Sequence, residues 1–332
     1  MLTFFITGGC GFIGSHFIEL ALRKKYRVIN LDKLTYAATR TDISHPNYKL
    51  IKGDIRDQEI VSSIFKKHSP NFIINFAAES HVDRSIVNPT ESLSTNIIGP
   101  INLLEEYIKN NSKARFLNVS TDEVYGSLQP EDPPFCEDSP YKPRSPYAAS
   151  KAATDHILQS YIHTYNLDLI ITNCSNNYGP FQHPEKLIPL VIQRAIEKKS
   201  IPVYGNGTNV RDWIYVKDHV NLLLKIILQK KLPKNQFLIG GQNEISNIKL
   251  INYILSVLET HLNYQNLKEL ITYVEDRPGH DFRYAIDNSF ISKVFKFKPS
   301  SFNETLIETI LHYVKISKNQ EVSHYDYSNF RI

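Results

Sequence analysis

The chain has 332 residues, 42% hydrophobic and 22% charged, an ordinary globular balance that excludes bulk disorder, collagen and low-complexity architectures. Its 38 Lys and Arg against 34 Asp and Glu give a net charge of +4, short of a dedicated nucleic-acid binder and compatible with a small anionic ligand. Three scattered cysteines (Cys10, Cys136, Cys174) contain no Cys-x-x-Cys pair, so reduced thiols are expected rather than a disulfide framework or a metal site. The length suits one large domain or two smaller ones. The apolar start, residues 1–6, lacks a basic n-region and runs straight into glycines, which reads as a strand and not a signal peptide. Lys225 interrupts the longest apolar stretch, near 220–228, so a soluble cytoplasmic protein is expected, with no membrane partner.

In chain order, residues 2–7 form a short strand and 12–23 a helix. Strands follow at 27–31 and 48–52, a helix at 58–67 and a strand at 72–76. One long helix is expected over 89–110, with Leu93, Ile97, Leu103, Leu104 and Ile108 on roughly one side. A strand at 114–120, a helix at 147–165 and a strand at 167–173 come next. This alternation specifies an α/β fold, a Rossmann-like doubly wound parallel sheet whose ligands bind at the carboxyl ends of the strands. Beyond about residue 176, Pro and Gly punctuate the chain and imply a smaller, discontinuous α/β substrate-binding region. Residues 216–228 and 237–239 are expected to rejoin the main sheet. The first domain is therefore assigned to 1–175 plus about 215–240, and the second to about 176–214 and 241–318. A last helix is expected at 303–318. The tail, 319–332, fits either a flexible end or a docked aromatic strap.

Gly8-Gly-Cys-Gly11-Phe-Ile-Gly14 follows the first strand and opens the first helix. Glycines there let the backbone turn sharply and approach a pyrophosphate seated on the helix N-terminus. Asp32 closes the second strand, where a carboxylate accepts from both adenosine ribose hydroxyls and repels a 2′-phosphate, so NAD is expected over NADP. Asp54 fits two roles equally, an acceptor for the adenine amino group or the N-cap of the helix at 58–67.

Tyr147-Ala-Ala-Ser-Lys151 places Tyr and Lys at i and i+4 on one helical face. A neighbouring ammonium and a cationic nicotinamide favour phenolate, which can take a proton from a substrate hydroxyl. Asp122 and Glu123, in Ser120-Thr-Asp-Glu-Val-Tyr125, end the fifth strand. By spacing alone they read as an acidic turn, yet one protonated and one ionised carboxyl also suit elimination of water. Thr121 beside them can hydrogen-bond a carbonyl oxygen as charge builds.

Together these residues resemble the extended short-chain dehydrogenase/reductase family, and within it most closely the dTDP-glucose 4,6-dehydratases. The resemblance spans roughly residues 3–318. Its more specific stretches are Ala77-Ala-Glu-Ser-His-Val-Asp-Arg-Ser-Ile86, Thr121-Asp-Glu-Val-Tyr-Gly126 and Asn176-Asn-Tyr-Gly-Pro180, then Pro184-Glu-Lys-Leu-Ile-Pro189, Arg211-Asp-Trp-Ile-Tyr-Val216 and Asp276-Arg-Pro-Gly-His-Asp281. The resemblance implies a redox-neutral reaction. Tyr147, supported by Lys151, deprotonates the glucose 4-hydroxyl as hydride passes from C4 to NAD. Glu123 removes the C5 proton while Asp122 protonates the departing 6-hydroxyl. Hydride then returns to C6 and Glu123 reprotonates C5, giving dTDP-4-keto-6-deoxyglucose for deoxysugar synthesis.

For the cofactor the resemblance implies Gly8, Gly11, Phe12, Ile13 and Gly14 in the first loop, then Asp32, Lys33, Leu34 and Thr35. Asp54 and Ile55 follow the third strand, and Phe76, Ala77, Ala78 and Ser80 the fourth. Thr95, Tyr147, Lys151 and Asn177 complete that side. For dTDP-glucose it implies Ser80, Thr121, Asn176, Lys186 and Leu187, with Pro202, Val203 and Tyr204 beyond. Arg211, Asn247 and the run Asp276, Arg277, Pro278, Gly279 and His280 close the substrate side. It also implies a homodimer, paired through the helices at 89–110 and 147–165.

The chemistry of several positions fits independently. Lys186, Arg211 and Arg277 can neutralise a diphosphate, or each can be a solvated cation. Tyr204 suits stacking on a base or core packing. His81 and Trp213 read as structural. Ala38-Thr39 stands where the family usually has Gly-Asn, in a connection from Asp32 to Asp54 that is shorter than usual. Arg56 replaces a frequent small residue and is expected to have no consequence. The nearest competing reading is a sugar-nucleotide 4-epimerase, which keeps Tyr147 and Lys151 but has no use for Asp122 and Glu123. A non-enzymatic NAD-binding protein has no need of Tyr147 and Lys151.

Overall fold

The computed structural model describes residues 1–110 and 112–318, so the expectation for the tail at 319–332 lies outside the described residues. Seven strands make one parallel sheet: β1 (Thr3–Thr7), β2 (Arg27–Asp32), β3 (Tyr48–Lys52), β4 (Phe72–Asn75), β5 (Arg115–Thr121), β6 (Leu169–Cys174) and β10 (Gln236–Ile239). Their order is β3-β2-β1-β4-β5-β6-β10, so the winding reverses between β1 and β4 and leaves a crevice there. Successive side chains point to opposite faces. Phe4, Ile6, Val28, Ile74 and Leu117 join one core, while Phe5, Ile29, Ile73 and Phe116 join another.

Helices cover both faces. α1 (Phe12–Arg23) contributes Phe17 and Ile18 to the first core, and α2 (Gln58–His68) contributes Val61 and Ile64 to the second. After β4 come two short helices, α3 (Val82–Val87) and α4 (Pro89–Leu93), then a π-helical turn over Ser94–Ile98 and α5 (Gly99–Lys109). The expected helix over 89–110 is therefore broken. Pro100 has no N–H to offer the carbonyl of Asn96 four residues back, so the ladder reopens there. The Thr154 hydroxyl takes that carbonyl instead. Leu93, expected on roughly one side with Leu103 and Leu104, is 39% exposed, whereas Leu103 and Leu104 beyond the break are buried. α6 (Pro146–Tyr165) starts on Ser145, whose Oγ accepts from the Ala148 amide, with Pro146 in the first turn.

The remaining chain builds over the carboxyl ends of the sheet. β7 (Asn176–Tyr178), β9 (Val210–Tyr215) and β11 (Glu244–Ser246) form a three-stranded sheet, and β8 (Ile201–Tyr204) pairs with β12 (Ile271–Val274). α7 (Leu187–Ile196) and α9 (Asn247–Leu262) belong to this region. α8 (Val216–Leu228) packs back on the first core with Leu222 and Leu223, followed by β10. α10 (Ser289–Phe295) and α11 (Phe302–Lys318) close the described chain. No helix of the described residues is long and apolar enough to cross a membrane.

Leu117 lies fully buried on a central strand. Leu117→Ala should cost about 2–5 kcal/mol by lost transfer energy and residual cavity. Urea unfolding measures this; a loss below about 1 kcal/mol would contradict a sheet covered on both faces.

Candidate active site

A cavity of about 310 Å³ runs across the crevice between β1 and β4 toward β5 and β6. Gly8, at φ +68°, turns the chain out of β1, and a Cβ there would lie 2.6 Å from the Ala77 backbone. A Cβ on Gly14 would lie 2.5 Å from the Gly8 carbonyl oxygen. Only glycine allows loop, helix and β4 to close this tightly. Gly11 caps α1 without any side-chain hydrogen bond, leaving first-turn amides for an anion at the positive end of the helix. Gly8, Gly11, Phe12, Ile13 and Gly14 all line the cavity.

Asp32 is fixed by two amides: its Oδ2 accepts from Cys10 N–H and its Oδ1 from Leu34 N–H, each at 2.8 Å. Its remaining lone pairs can accept a pair of vicinal hydroxyls. Lys33 and Thr35 line the cavity beside it, whereas Leu34 contributes through its amide. Asp54 and Ile55 also line this end, but Asp54 is not a helix cap. Asp57 caps α2, accepting from the amides of Glu59 and Ile60. Asp54 instead meets Arg56 at 2.7 Å and Lys33 at 3.1 Å, and both cations reach Glu91. Burial works against the charged form, yet the hydrogen bonds from Arg56 and Lys33 bring the Asp54 carboxyl down to about 2. Arg56, expected to be without consequence, joins Lys33 in bridging Asp54 and Glu91, and its fork adds contacts to both acids that a small residue could not make.

Phe76, Ala77, Ala78 and Ser80 line the cavity after β4. Thr95 sits on the π turn with its Oγ1 buried and unpartnered, facing the same space. Asn177, also lining, hydrogen-bonds Ser175 O at 3.0 Å and His219 Nδ1 at 2.8 Å.

At the inner end Thr121, Asp122, Glu123, Tyr147 and Lys151 converge. Thr121 Oγ1 caps the 3-10 turn at Asp122–Tyr125 by accepting from the Glu123 amide. The carboxyl of Asp122 is 2% exposed, and its Oδ2 has no hydrogen-bond partner. Burial, then Glu123, then Asp212 push its pKa well above the ordinary range. Burial also raises Glu123, but Arg277, Arg211 and Lys186 pull it back toward ionisation. The two carboxyls thus differ in environment, which separates an acid from a base. An acidic solvated turn, the alternative reading, does not fit this burial. Tyr147 is raised well above its ordinary value by burial, Glu123, Cys174 and Asp122, with Thr121 opposing. Burial lowers Lys151, whose Nζ donates to Val119 O at 2.7 Å.

Asn176 and Lys186 line the cavity, and Asn176 Oδ1 is buried and unpartnered. Lys186 Nζ donates to the Ser80 carbonyl at 3.2 Å. The other expected substrate residues form a separate rim. Arg277 pairs with Asp83 at 3.2 Å, and His280 with Asp276 at 2.6 Å. Tyr204 is 42% exposed and stands edge-on to His280, so it is not a core tyrosine. Gly279, at φ +68°, turns the chain after Pro278 in this rim. Asn247, which opens α9, holds its Oδ1 buried and unpartnered. Arg211 is spanned by the carbonyls of Val210, Asp281 and Phe282 and lies over the Tyr284 ring at 4.4 Å. Leu187 and Val203 pack into the core rather than the cavity, and Pro202 pairs opposite Thr272. Val203 alternates with Pro202 along β8, so the buried Val203 faces the core while Pro202 shares the side of Tyr204.

Several lining residues had not been expected, among them Glu79, Gln182, His183 and Glu185. Glu79 falls in the Ala77–Ile86 motif, but its spacing carries no chemistry of its own. Glu185 receives His81 at 3.4 Å and Arg84 at 3.7 Å, and His81 Nδ1 also caps α3, a structural role.

The profile of the GDP-mannose 4,6 dehydratase family matches residues 5–310. A dTDP-glucose 4,6-dehydratase of Xanthomonas campestris is 43% identical over 330 residues, covering 95% of this chain and 93% of that protein. The crystal structure of a dTDP-glucose 4,6-dehydratase from Bacillus anthracis, in complex with NAD, superposes with a TM-score of 0.86 at 39% identity, covering 96% and 98% of the two chains. A UDP-glucose 4-epimerase from Thermotoga maritima reaches the same TM-score of 0.86 at 27% identity, covering 95% and 100%. Fold alone therefore does not separate dehydration from epimerisation.

The raised Asp122 has a consequence for stability. A carboxyl whose folded pKa exceeds its unfolded value stabilises the fold below the unfolded pKa, near ~3.9, and that contribution is lost as pH rises through the folded pKa. Asp122→Asn cannot ionise and escapes that loss. Urea unfolding at pH 5 and pH 8 should show the variant gaining on the natural chain as pH rises; a constant difference would place an ionised Asp122 in the native state throughout.

Proposed function

Because the chain belongs to the GDP-mannose 4,6 dehydratase family of extended short-chain dehydrogenases/reductases, we propose that it dehydrates dTDP-glucose to dTDP-4-keto-6-deoxyglucose, with NAD as its resident cofactor. The glycine cradle, the uncapped start of α1 and the fixed Asp32 carboxylate fit a dinucleotide: pyrophosphate on the amides, adenosine ribose on Asp32. Bound NAD supplies the acceptor for hydride from C4 and the donor that returns it to C6.

The chain's own residues move the protons. Tyr147 takes the proton of the C4 hydroxyl. Its raised pKa opposes this, and Lys151, one turn along α6 and lining the same cavity, is the cation assigned to favour phenolate. The C4 ketone acidifies C5. Glu123, faced by Arg277, Arg211 and Lys186, takes the C5 proton. Asp122, held neutral by burial beside Glu123, gives its proton to the leaving 6-hydroxyl. The pair of adjacent carboxyls in the cavity, Asp122 buried with its Oδ2 unpartnered and Glu123 beside it, is the observation that carries this reading, since an epimerase needs neither group. Lys186, Arg211 and Arg277 from the smaller region serve the diphosphate, which divides labour between the sheet and the elements built over it. The family resemblance supports a homodimer paired through the helices at 89–110 and 147–165, a region in which Leu93, Ile98 and Tyr165 are exposed.

Incubation with dTDP-glucose should give a 4-keto-6-deoxy sugar with its base-induced ultraviolet absorbance; dTDP-galactose in its place would establish epimerisation. Tyr147→Phe should lower turnover by about 10²-fold or more, and unchanged turnover removes it from the chemistry. Glu123→Gln should slow C5 proton exchange with solvent far more than it weakens substrate binding; equal losses would make it structural. UDP-glucose should compete poorly with dTDP-glucose.

Leu93→Asp with Ile98→Asp should turn a dimer into a monomer in sedimentation, and an unchanged mass would place the interface elsewhere.

A further inference from the structure

The row of α6 that carries Tyr147 and Lys151 has a third polar member. Asp155 lies one turn beyond Lys151 and is fully buried. A buried carboxylate persists only when its charge is answered by hydrogen bonds and a cation. The Asp155 Oδ2 accepts from Ser120 Oγ at 2.7 Å, Asn173 Nδ2 at 3.0 Å and Tyr141 OH at 3.1 Å. Its Oδ1 has no partner and is equally buried. Lys151 donates to the carbonyl of Val119, the residue just before Ser120 on β5. The two charges are thus pinned to consecutive residues of one central strand. Tyr141 and Asn173 are themselves tied, through Gln236 Nε2, to Tyr125.

We propose that Asp155 is a positioning residue for the proton transfer, the countercharge that keeps the buried Lys151 ammonium protonated and directed at the site, and so makes Tyr147 available as phenolate. The inference rests on the Tyr147–Lys151 reading given above. Burial disfavours the charged form of Lys151, and Asp155 is the foremost group opposing that, followed by Cys174 of β6. Burial raises the Asp155 carboxyl, and Lys151, then Ser120, Asn173 and Tyr141, work against that and favour its charged form; Tyr125 feels its charge from the turn after β5. Tyr147 is faced by Glu123, Cys174, Asp122 and Thr121. On α6 Lys151 stands one turn from Tyr147 and Asp155 one turn further, so the route proposed for Asp155 runs through Lys151.

The sign of the effect separates this role from a direct one. Removing a negative charge that acted directly on Tyr147 would make its phenol more acidic. Removing one that holds Lys151 protonated makes it less acidic. In Asp155→Asn the acid limb of the kcat–pH profile should move up by at least one unit. kcat at pH 7 should fall about tenfold or more, with KM for dTDP-glucose within about twofold. In a Lys151→Ala background the same substitution should change kcat less than about twofold. A limb that stays in place or moves down, or an equal loss in the Lys151→Ala background, would overturn the proposal. Should Asp155→Asn not fold, Tyr141→Phe removes one donor to the carboxylate and should move the limb the same way by a few tenths of a unit; no movement would likewise overturn it. Dependence of turnover on Tyr147 is measured in parallel, so failure of the Tyr147 reading appears as an active Tyr147→Phe and not as an immobile limb.

Discussion

Two carboxyls side by side in a dry turn at the end of a central strand set the terms for the rest of the site. Asp122 and Glu123 cannot both ionise there at little cost, since like charges and burial each favour the proton. The fold resolves this by giving them different neighbours. Asp122 is raised by burial, then by Glu123 and Asp212, with only Thr121 and Arg211 opposing. Glu123 faces Arg277, Arg211 and Lys186, which come from three distant parts of the chain. The elements built over the sheet therefore do more than cover a ligand, because without their cations the two carboxyls would lose their distinct roles.

A second constraint ties the cofactor side to the catalytic helix. Pro100 interrupts the helix after β4, and the carbonyl of Asn96 that it abandons is taken by Thr154 of α6. The Asn96 side chain also holds the Glu79 amide at 2.8 Å and Ser150 Oγ at 2.8 Å. One residue thus links the loop after β4, the π turn bearing Thr95 and the helix bearing Tyr147 and Lys151. π turns recur where a helix must aim side chains at a site, and here the turn places Thr95 in the cavity. A regular helix over this stretch would lose the Thr154 contact.

Much of this was legible in the sequence. The alternation of strands and helices gave the parallel sheet, and the glycine spacing, Asp32 and the Tyr147–Lys151 pair marked the strand ends where the cavity lies. These signals are local: each depends on residues within one element or one turn. What was not legible depended on contacts between segments. The break at Pro100 was hidden because the apolar period of Leu93, Leu103 and Leu104 continues across it. Arg56 passed as inconsequential because Glu91, its second acid, lies 35 residues away. Asp54 passed as a possible cap because only geometry distinguishes it from Asp57. Asp155 carried no motif at all, and its meaning appears only when Ser120, Tyr141 and Asn173 meet around it. Leu187 and Val203 were assigned to the substrate side by resemblance, which does not say that their side chains pack toward the core.

The shared backbone with a 4-epimerase at the same TM-score puts the choice of reaction into a few charges rather than the fold. The net +4 of the chain conceals how those charges are sorted: acids at the end of β5, cations on the elements opposite. The proposed acid and base need different surroundings, and the cations from the elements over the sheet supply that difference at Glu123 while burial and the neighbouring acids act on Asp122. An epimerase, whose hydride leaves and returns to one carbon, has no need of such a pair, so under the proposed function the acid pair and the cations opposite it belong to one chemical requirement.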